Sequence, residues 1–213
     1  MSEIKPITVY VHTAGPNPYK VTILLEELAI PYTTIVVDDP KVDWFVKINP
    51  NGRVPAIIDP NHDITLWESG AIMEYLIDTY DAEGRLTSTN TLDKWQIKQY
   101  LYFQMSGQGP YYGQAMWFHK CPDDIPLAKK RYVNEMTRVI SVLDKTLEGK
   151  KYLVGNKLTY ADLAFVPWNR VARKHPFFET SLWKEHDILH KYKNFAAWQE
   201  RLDSLPSVQA AYK

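Results

Sequence analysis

The sequence predicts two domains, an α/β domain with a mixed four-stranded sheet followed by an all-helical domain. The first eighty of its 213 residues alternate short β-rich runs with helical patterns, whereas no convincing strand pattern follows residue 92. Residues 81–91 between them are rich in Gly, Ser, Thr and Asn, which is typical of a linker. We therefore expect one domain over residues 1–82 and a second over residues 92–213, a length that suits two modest domains.

The composition restricts the possible functions. Hydrophobic residues make up 45% and charged residues 23%, as in ordinary globular proteins. Lys plus Arg and Asp plus Glu both number 25, so no basic excess favours nucleic acid or an anionic membrane as a partner. Cys121 is the single cysteine, which excludes an intrachain disulfide and a multi-cysteine metal site. With no signal-like or membrane-spanning apolar run, we expect a cytoplasmic protein without a metal.

The first half of the N-terminal domain has a βαβ pattern. Residues 8–11 are β-rich, and a breaker-rich turn separates them from a helix that Pro31 ends. The apolar face of that helix, at positions i, i+3, i+4 and i+7, consists of Val21, Leu24, Leu25 and Leu28. Residues 32–37 are a second β-branched run. Because the two strands flank a helix, we expect them to lie parallel.

The second half of this domain has a ββα pattern. Residues 56–59 and 64–67 are short strands, and the turn sequence Pro60-Asn61-His62-Asp63 predicts an antiparallel hairpin. A helix then opens at Glu68-Ser69-Gly70 and carries Ile72, Tyr75 and Leu76 on one side. The order βαβ then ββα is that of a thioredoxin-like domain.

The second domain shows helical patterns and one clear helix-start signal. Residues 92–103 predict a helix that is interrupted near 107–110 and resumes through Phe118, and Pro126 suits the first turn of another. The second helix has an apolar face of Val133, Met136, Ile140, Leu143 and Leu147. Thr159 and Asp162 form the N-cap and N3 positions of a capping box, flanked by Leu158 and Leu163. We expect this box to nucleate a buried helix.

Three segments carry a resemblance to the cytosolic glutathione transferases that extends over nearly the whole chain. Residues 49–56, Asn-Pro-Asn-Gly-Arg-Val-Pro-Ala, resemble the family's turn with a cis proline before the third strand. Residues 67–72, Trp-Glu-Ser-Gly-Ala-Ile, resemble its γ-glutamyl binding corner, and the Thr159 box resembles its helix-nucleating cap. Residues 14–21 and 103–115 are similar to the fungal branch related to the yeast nitrogen-catabolite regulator and prion protein, and in part to the bacterial nu class.

The resemblance implies that Asn17 stabilises the thiolate of glutathione. No cysteine follows the first strand, and an asparagine amide can donate to a thiolate, although it cannot abstract the proton. Thr13 and Tyr10 are hydroxyl alternatives, and Asn17 could instead be a turn or N-cap residue. Pro18 departs from the glycine that the family usually has after this asparagine. We expect Tyr10 in the core or wall, and a structural role for His12.

The resemblance also implies which residues hold the rest of glutathione. Ser69, at a helix N-terminus, suits the γ-glutamyl carboxylate, and Glu68 suits the γ-glutamyl ammonium. The backbone of Val54 pairs with the cysteinyl amide, while Lys41 and Arg53 are candidates for the glycyl carboxylate, Lys41 the stronger. For both cations, simple solvent exposure is the alternative.

The implied function is that of a glutathione transferase, with glutathione as co-substrate and a homodimeric assembly. It conjugates glutathione to electrophiles, reduces disulfides or peroxides with it, or does both; the sequence leaves this open. The alternatives are a glutathione-binding regulatory or interaction protein without turnover, and a scaffold. The second substrate would meet an apolar wall drawn from Tyr111, Tyr112, Met116, Trp117 and Phe118, and we expect Cys121 to be inert.

Overall fold

The computed structural model describes residues 4–175 and 178–213, which form two compact units. One unit consists of Met1–Thr87 with Ser204–Lys213, and the other of Ser88–Asp203. No helix in the described part of the chain is both long and apolar enough to cross a membrane. The predicted domain limits, 1–82 and 92–213, stay a prediction.

The first unit has the predicted thioredoxin-like order of elements, with one addition. The elements are β1 (Ile7–Val11), α1 (Asn17–Leu28), β2 (Tyr32–Val36), α2 (Asp43–Val46), β3 (Ala56–Asp59), β4 (Ile64–Trp67) and α3 (Ser69–Tyr80). The strand order is β2-β1-β3-β4; β1 pairs parallel with β2, and the other pairs are antiparallel. The mixed four-stranded sheet is therefore confirmed. The short helix α2 was not predicted, because four residues are too few to show a helical period.

Two apolar layers flank the sheet. On one side Tyr10, Val37, Phe45 and Ala56 form a buried cluster, to which α2 contributes Phe45. Helices α1 and α3 pack on each other and bury apolar side chains such as Leu24 and Ile72. This packing brings the start of α1 and the start of α3 into one unit, where the candidate site is built.

The last helix of the chain belongs to the first unit. This helix, α10 (Pro206–Ala211), packs on α1, and the ring of Tyr19 stacks on that of Tyr212 with centroids 4.2 Å apart. Six helical residues are too few for a periodic pattern that would show which unit they join, so this contact was not predicted.

In the described part of the second unit, the regular elements are all helical. They are α4 (Thr91–Phe103), a π-helical segment (Gln104–Gln108), α5 (Gly109–Lys120), α6 (Pro126–Thr146), α7 (Tyr160–Lys174), a second π-helical segment (Glu179–Lys184), α8 (Ile188–Lys191) and α9 (Lys193–Asp203). The predicted all-helical domain is confirmed. The predicted interruption of the helix near 107–110 is wrong, because the chain stays helical there. The helix only widens to a π-helix over Gln104–Gln108 before α5 begins.

The predicted capping box of α7 is present. Asp162 is fully buried, and its carboxylate accepts hydrogen bonds from the amide of Thr159 (2.9 Å), the hydroxyl of Thr159 (2.7 Å), the amide of Leu153 (3.0 Å) and the indole of Trp198 (2.9 Å). Burial raises the pKa of Asp162, and these hydrogen bonds oppose the rise. The box therefore anchors α7 to a preceding loop and to α9.

Candidate functional site

The loop between β1 and α1 presents Asn17 as the first residue of a helix. The helix begins at Asn17, and Pro16 occupies the N-cap position, so Asn17 is not the N-cap. The loop before it is closed by two hydrogen bonds to His12: its carbonyl accepts from the Gly15 amide (2.9 Å) and its Nδ1 from the Ala14 amide (3.1 Å). These bonds confirm the structural role expected for His12. Pro18 lies in the first turn, where a proline is compatible with a helix.

The two hydroxyl alternatives to Asn17 differ in position. Tyr10 is buried in the core cluster, with its ring centroid 5.5 Å from that of Phe45 and 6.1 Å from that of Trp44. The prediction that Tyr10 belongs to the core or wall is therefore confirmed. Thr13 is exposed in the loop before α1 and stays an alternative.

The turn before β3 lies against this loop. The peptide bond between Val54 and Pro55 is cis, as the resemblance implies. A Cβ atom placed on Gly15 would lie 3.7 Å from Cγ2 of Val54. The half-buried Val54 and the β1–α1 loop are therefore neighbours, and the cysteinyl part of a ligand could contact both.

Hydrogen bonds fix the turn at residues 49–53. The buried Asn49 donates from Nδ2 to the carbonyl of Arg53 and accepts at Oδ1 from the amide of Asn51 (3.0 Å). Lys41 donates from Nζ to the carbonyl of Asn51 (3.0 Å). Gly52 has a positive φ of 58°, and a Cβ there would lie 2.9 Å from Cδ and Nζ of Lys41, so only glycine fits beneath this side chain.

The two candidate cations for the glycyl carboxylate are thus held differently. Both side chains are exposed, but Lys41 crosses the turn with its ammonium against a backbone carbonyl. Within the part of the chain that the structure describes, the side chain of Arg53 makes no hydrogen bond of this kind. Its backbone carbonyl accepts a hydrogen bond from Asn49. A positioned ammonium loses less side-chain entropy when it binds an anion, which favours Lys41.

The corner between β4 and α3 has a strained backbone. Glu68 has φ 72° and ψ 112°, a conformation that costs a residue with a Cβ about 1–3 kcal/mol. Its carboxylate Oε1 lies 3.4 Å from Nδ2 of Asn51, so the corner contacts the turn at 49–53. The next residue, Ser69, is buried and begins α3, where backbone amides and the helix dipole favour an anion.

Lys20 is the site residue that sequence reasoning missed. Its side chain is only 1% exposed, and its Nζ lies 3.3 Å from Oγ of Ser69. Burial lowers the pKa of Lys20 from 10.5 to about 7, and the nearby Glu68 carboxylate opposes this shift. The sequence held a weak signal, because Lys20 stands one helical turn before Leu24 on the apolar face of α1.

The structure therefore links most of the predicted glutathione residues. Lys41 contacts the backbone of Asn51, and the side chain of Asn51 contacts that of Glu68. Ser69, the next residue after Glu68, contacts the buried Lys20. Gly15, in the loop before Asn17, lies close to Val54 and to Pro18. Arg53 and Thr13 are both exposed.

The residues predicted for a second-substrate wall divide into core and surface. Tyr112 is buried, and burial raises its pKa, whereas Trp117 is exposed on the same helix. The ring of Phe118 stacks on that of Tyr132, with centroids 5.4 Å apart. Cys121 is half-buried, and its Sγ donates to the carbonyl of Asp123 (2.9 Å).

Within the described ranges 4–175 and 178–213, no group of three or more His, Cys, Asp or Glu side chains is arranged to hold a metal ion.

Comparison with known families gives two matches. The glutathione S-transferase N-terminal domain family matches residues 14–79, and the glutathione S-transferase C-terminal domain family matches residues 110–206. A glutathione S-transferase-like protein, OpS6, from Beauveria bassiana is 43% identical over 215 residues, which cover 98% of this chain and 95% of that protein.

Solved structures from the fungus Phanerochaete chrysosporium share the fold. Glutathione transferase URE2P6, in complex with oxidized glutathione, has a TM-score of 0.90 and 42% identity and covers all of this chain and 97% of that one. Ure2p5, cocrystallized with 1-(S-glutathionyl)-2,4-dinitrobenzene, has a TM-score of 0.87 and 37% identity over 99% of this chain and 94% of that one. The fungal branch indicated by the sequence is therefore confirmed.

Proposed function

Because this chain belongs to the glutathione S-transferase family, we propose that it binds glutathione as a co-substrate and makes its thiol reactive. The observation that carries the proposal is the linked set at the start of α3, where Asn51 contacts Glu68 and Lys20 contacts Ser69. A helix N-terminus with a buried hydroxyl and a nearby carboxylate suits the α-carboxylate and ammonium of a γ-glutamyl group. In this arrangement Ser69 donates to the carboxylate, and Glu68 accepts from the ammonium.

The remaining parts of glutathione follow from this anchor. We assign the cysteinyl amide to the backbone of Val54, and the glycyl carboxylate to Lys41 in preference to Arg53. The thiol then comes to the start of α1, where Asn17 donates from its amide group to the thiolate, and the positive end of the helix dipole assists. Asn17 stabilises the anion in this account, and the proton leaves to solvent.

Two reactions suit this site, and each has its own support. The relative cocrystallized with 1-(S-glutathionyl)-2,4-dinitrobenzene carries a conjugate of glutathione with an aryl electrophile, which supports conjugation. The relative in complex with oxidized glutathione carries a glutathione disulfide, which supports thiol–disulfide exchange. A second thiol must complete the exchange. Because the Cys121 thiol is hydrogen-bonded to backbone carbonyls, we assign that role to a second glutathione.

The second substrate is proposed to lie against the aromatic side chains of α5. Trp117 is exposed, Tyr111 and Phe118 are half-buried, and all three can present an apolar surface to an electrophile. Tyr112 belongs to the core of the helical unit and takes no part.

The experiment measures binding and both reactions on one preparation. The protein is tested for retention on immobilised glutathione, and then assayed with 1-chloro-2,4-dinitrobenzene and with a glutathione-linked disulfide. Retention with turnover of either substrate supports the proposal. Retention without turnover would favour the glutathione-binding regulatory protein, and absence of both would leave a scaffold. An Asp123→Ala variant, changed on the exposed loop before α6, is the matched control and should behave as the wild type.

We also propose a homodimer. Helix α4 exposes Leu92, Trp95 and Tyr102, three large side chains spaced by three and seven residues on one helix face, each more than half exposed. The edge strand β4 exposes Trp67 in the first unit. In the proposed dimer the first unit of one subunit packs on the helical unit of the other, so both surfaces become buried.

The proposed location is the cytoplasm, and the proposed role is detoxification. A glutathione-dependent enzyme needs reduced glutathione, which reducing compartments maintain, and a single cysteine suits such a compartment.

A further inference from the structure

The glycine at position 52 is covered by a lysine from another segment of the first unit. Gly52 is buried, although Asn51 and Arg53 on either side of it are exposed. A Cβ atom placed on Gly52 would lie 2.9 Å from Cδ and Nζ of Lys41 and 2.9 Å from the carbonyl oxygen of Pro40. Non-bonded carbon atoms normally lie about 3.5–4.0 Å apart. The space that a side chain at position 52 needs is therefore filled by residues 40 and 41.

Hydrogen bonds hold both sides of this contact in place. On the lysine side, the amide of Lys41 donates to Oδ1 of Asp39 (2.9 Å), and its Nζ donates to the carbonyl of Asn51 (3.0 Å). On the turn side, the Gly52 amide donates to the carbonyl of Asn49 (2.9 Å), whose side chain accepts from the amide of Asn51. A side chain added at position 52 can therefore be accommodated only if one of these two sides moves.

The side chain of Lys41 is the part that should move first. Its Cδ and Nζ belong to the end of a flexible, exposed side chain, whereas the carbonyl of Pro40 is backbone. A lysine can change between staggered rotamers without disturbing the main chain. We therefore expect a Cβ at position 52 to displace the Lys41 ammonium from the carbonyl of Asn51 before it disrupts the turn.

We propose that Gly52 is a positioning residue for the glycyl carboxylate of glutathione. Because Gly52 has no side chain, Lys41 lies across the turn with its ammonium on the carbonyl of Asn51. One of the three N–H groups of the ammonium is used in that bond, and the carboxylate accepts from another. The ammonium is ordered before the ligand arrives, so less side-chain entropy is lost on binding. This inference rests on the proposed function, which assigns the glycyl carboxylate to Lys41.

The positive φ of Gly52 is a separate reason for glycine, and Gly84 isolates it. The φ angle is 58° at Gly52 and 63° at Gly84, which also belongs to the first unit, so alanine is strained at either position. A Cβ atom on Gly84 would lie 3.9 Å from Cγ2 of Thr87, which is an ordinary contact. Gly84→Ala therefore introduces the same backbone strain without crowding a lysine, and it is the matched control.

Calorimetry with two ligands tests the proposal. Glutathione has the glycyl carboxylate, whereas γ-glutamylcysteine lacks the glycyl residue. Gly52→Ala should weaken the binding of glutathione by about tenfold, because a charge-assisted hydrogen bond is lost, and should change the affinity for γ-glutamylcysteine by less than about twofold. Gly84→Ala should bind both ligands as the wild type does. A merely structural role of Gly52 would weaken the binding of both ligands alike.

A double-mutant cycle shows whether Gly52 acts through Lys41. Lys41→Ala removes the ammonium together with Cδ. In that background Gly52→Ala should change the affinity for glutathione by less than about twofold, because no ammonium is left to displace. Gly52→Ala should also lower the urea midpoint less in Lys41→Ala than in the wild type, because the contact with Cδ and Nζ is gone.

A second substitution covers the case in which Gly52→Ala does not fold. Asparagine adopts a positive φ more readily than alanine and still carries a Cβ atom. Gly52→Asn should therefore show the same selective loss of affinity for glutathione over γ-glutamylcysteine.

Equal losses for glutathione and γ-glutamylcysteine, or the same tenfold loss in the Lys41→Ala background, would overturn the role of Gly52 and leave the proposed function intact. Unchanged glutathione binding in a folded Gly52→Ala variant would do the same. A wild type that binds neither ligand would overturn the proposed function as well.

Discussion

At the scale of single residues, three of the side chains predicted to bind glutathione are exposed, those of Lys41, Arg53 and Glu68. Ser69 was also predicted but is buried, and so is the unpredicted Lys20 beside it. Glu68 and Ser69 belong to a segment whose sequence resembles a binding corner, and Val54 belongs to one that resembles the turn before the third strand, so their positions could be predicted. The local pattern puts Lys20 on the apolar face of α1, but its burial beside Ser69 depends on how α1 packs against α3. The cost of burying a charge can be judged only once the packing is known.

The first prediction concerns the glycyl carboxylate. Replacing Lys41 by Met should weaken glutathione binding by about 10- to 30-fold, because a charge-assisted hydrogen bond contributes about 1.5–2 kcal/mol. Arg53→Met is the matched control and should change the affinity by less than about twofold, because its side chain is not fixed at the turn. Calorimetry at low ionic strength provides the measurement.

A second ligand tests whether Lys41 binds the glycyl carboxylate. γ-Glutamylcysteine lacks the glycyl group, so Lys41→Met should bind it as tightly as the wild type does. Equal losses for glutathione and γ-glutamylcysteine would show that Lys41 acts elsewhere, and a larger loss in Arg53→Met would reverse the assignment of the two cations.

At the scale of elements, one buried carboxylate joins the β3–β4 hairpin to α3. Asp59, the last residue of β3, accepts hydrogen bonds from the hydroxyls of Tyr75 (2.6 Å) and Tyr80 (2.5 Å) and from the amide of Asn61 (2.8 Å). Burial alone would raise the pKa of Asp59, but the hydrogen bonds from Tyr75, Tyr80 and Asn61 outweigh burial and lower the pKa from 3.8 to about 2. The link therefore stabilises the fold when Asp59 is ionised.

The second prediction is a loss of this stability in acid. A depressed pKa contributes stability above the unfolded pKa and loses it as the pH falls through the folded value, here from about 4 to about 2. At pH 7 Asp59→Asn should lower the free energy of unfolding by about 2 kcal/mol. At pH 3 this difference should be about 1 kcal/mol smaller.

Urea unfolding at a fixed protein concentration measures the free energy of unfolding at pH 7 and at pH 3. Asp78→Asn, an exposed aspartate on α3, is the control and should show little change at either pH. A difference between Asp59→Asn and the wild type that stays constant from pH 7 to pH 3 would refute the role of ionised Asp59.

Elements that are specified by a few consecutive residues could be predicted from the sequence, whereas elements that depend on contacts between distant residues could not. The hairpin at 56–67 and the capping box at Thr159 are specified by turn and cap residues within a few positions, and the structure has both.

The Gly-Gln-Gly-Pro sequence at 107–110 indicated a break, yet the chain stays helical. In the segment before and into α5, buried Gln104 donates to Gln108 (2.9 Å), and Gln108 donates to Asn169 of α7 (2.6 Å). The first bond lies within the π-helical segment and the second joins it to α7; both offset the weak local helix propensity, and a single sequence does not reveal them.

At the scale of the whole molecule, the resemblance predicted more than periodicity alone could. Residue patterns indicated a sheet-containing unit and a helical unit, whereas the identity of the ligand came from motifs whose order matches a family. The contact of α10 with α1 was missed because it joins the two ends of the chain, and long-range contacts of short helices leave no periodic signal.

The third prediction is that the apolar face of α4 holds the dimer together. Trp95→Glu should convert the dimer into a monomer at micromolar concentration, because it places a charge in an apolar contact. Leu127→Glu, which changes an even more exposed apolar residue at the start of α6, is the control and should remain dimeric. Sedimentation velocity distinguishes a monomer from a dimer. A monomeric wild type, or a Trp95→Glu variant that remains dimeric, would contradict the proposed interface.

The most direct test of the central claim is the thiol pKa of glutathione bound to the protein. The thiolate absorbs near 240 nm, so its absorbance can be followed against pH for the wild type, Asn17→Ala and Thr13→Ala. We predict a pKa at least about one unit below the value of about 8.5 for a free thiol in the wild type and Thr13→Ala. In Asn17→Ala the pKa should return toward the free value, with turnover reduced about 10- to 100-fold. An unshifted pKa in the wild type would contradict thiol activation, and a shift lost only in Thr13→Ala would move the role from Asn17 to Thr13.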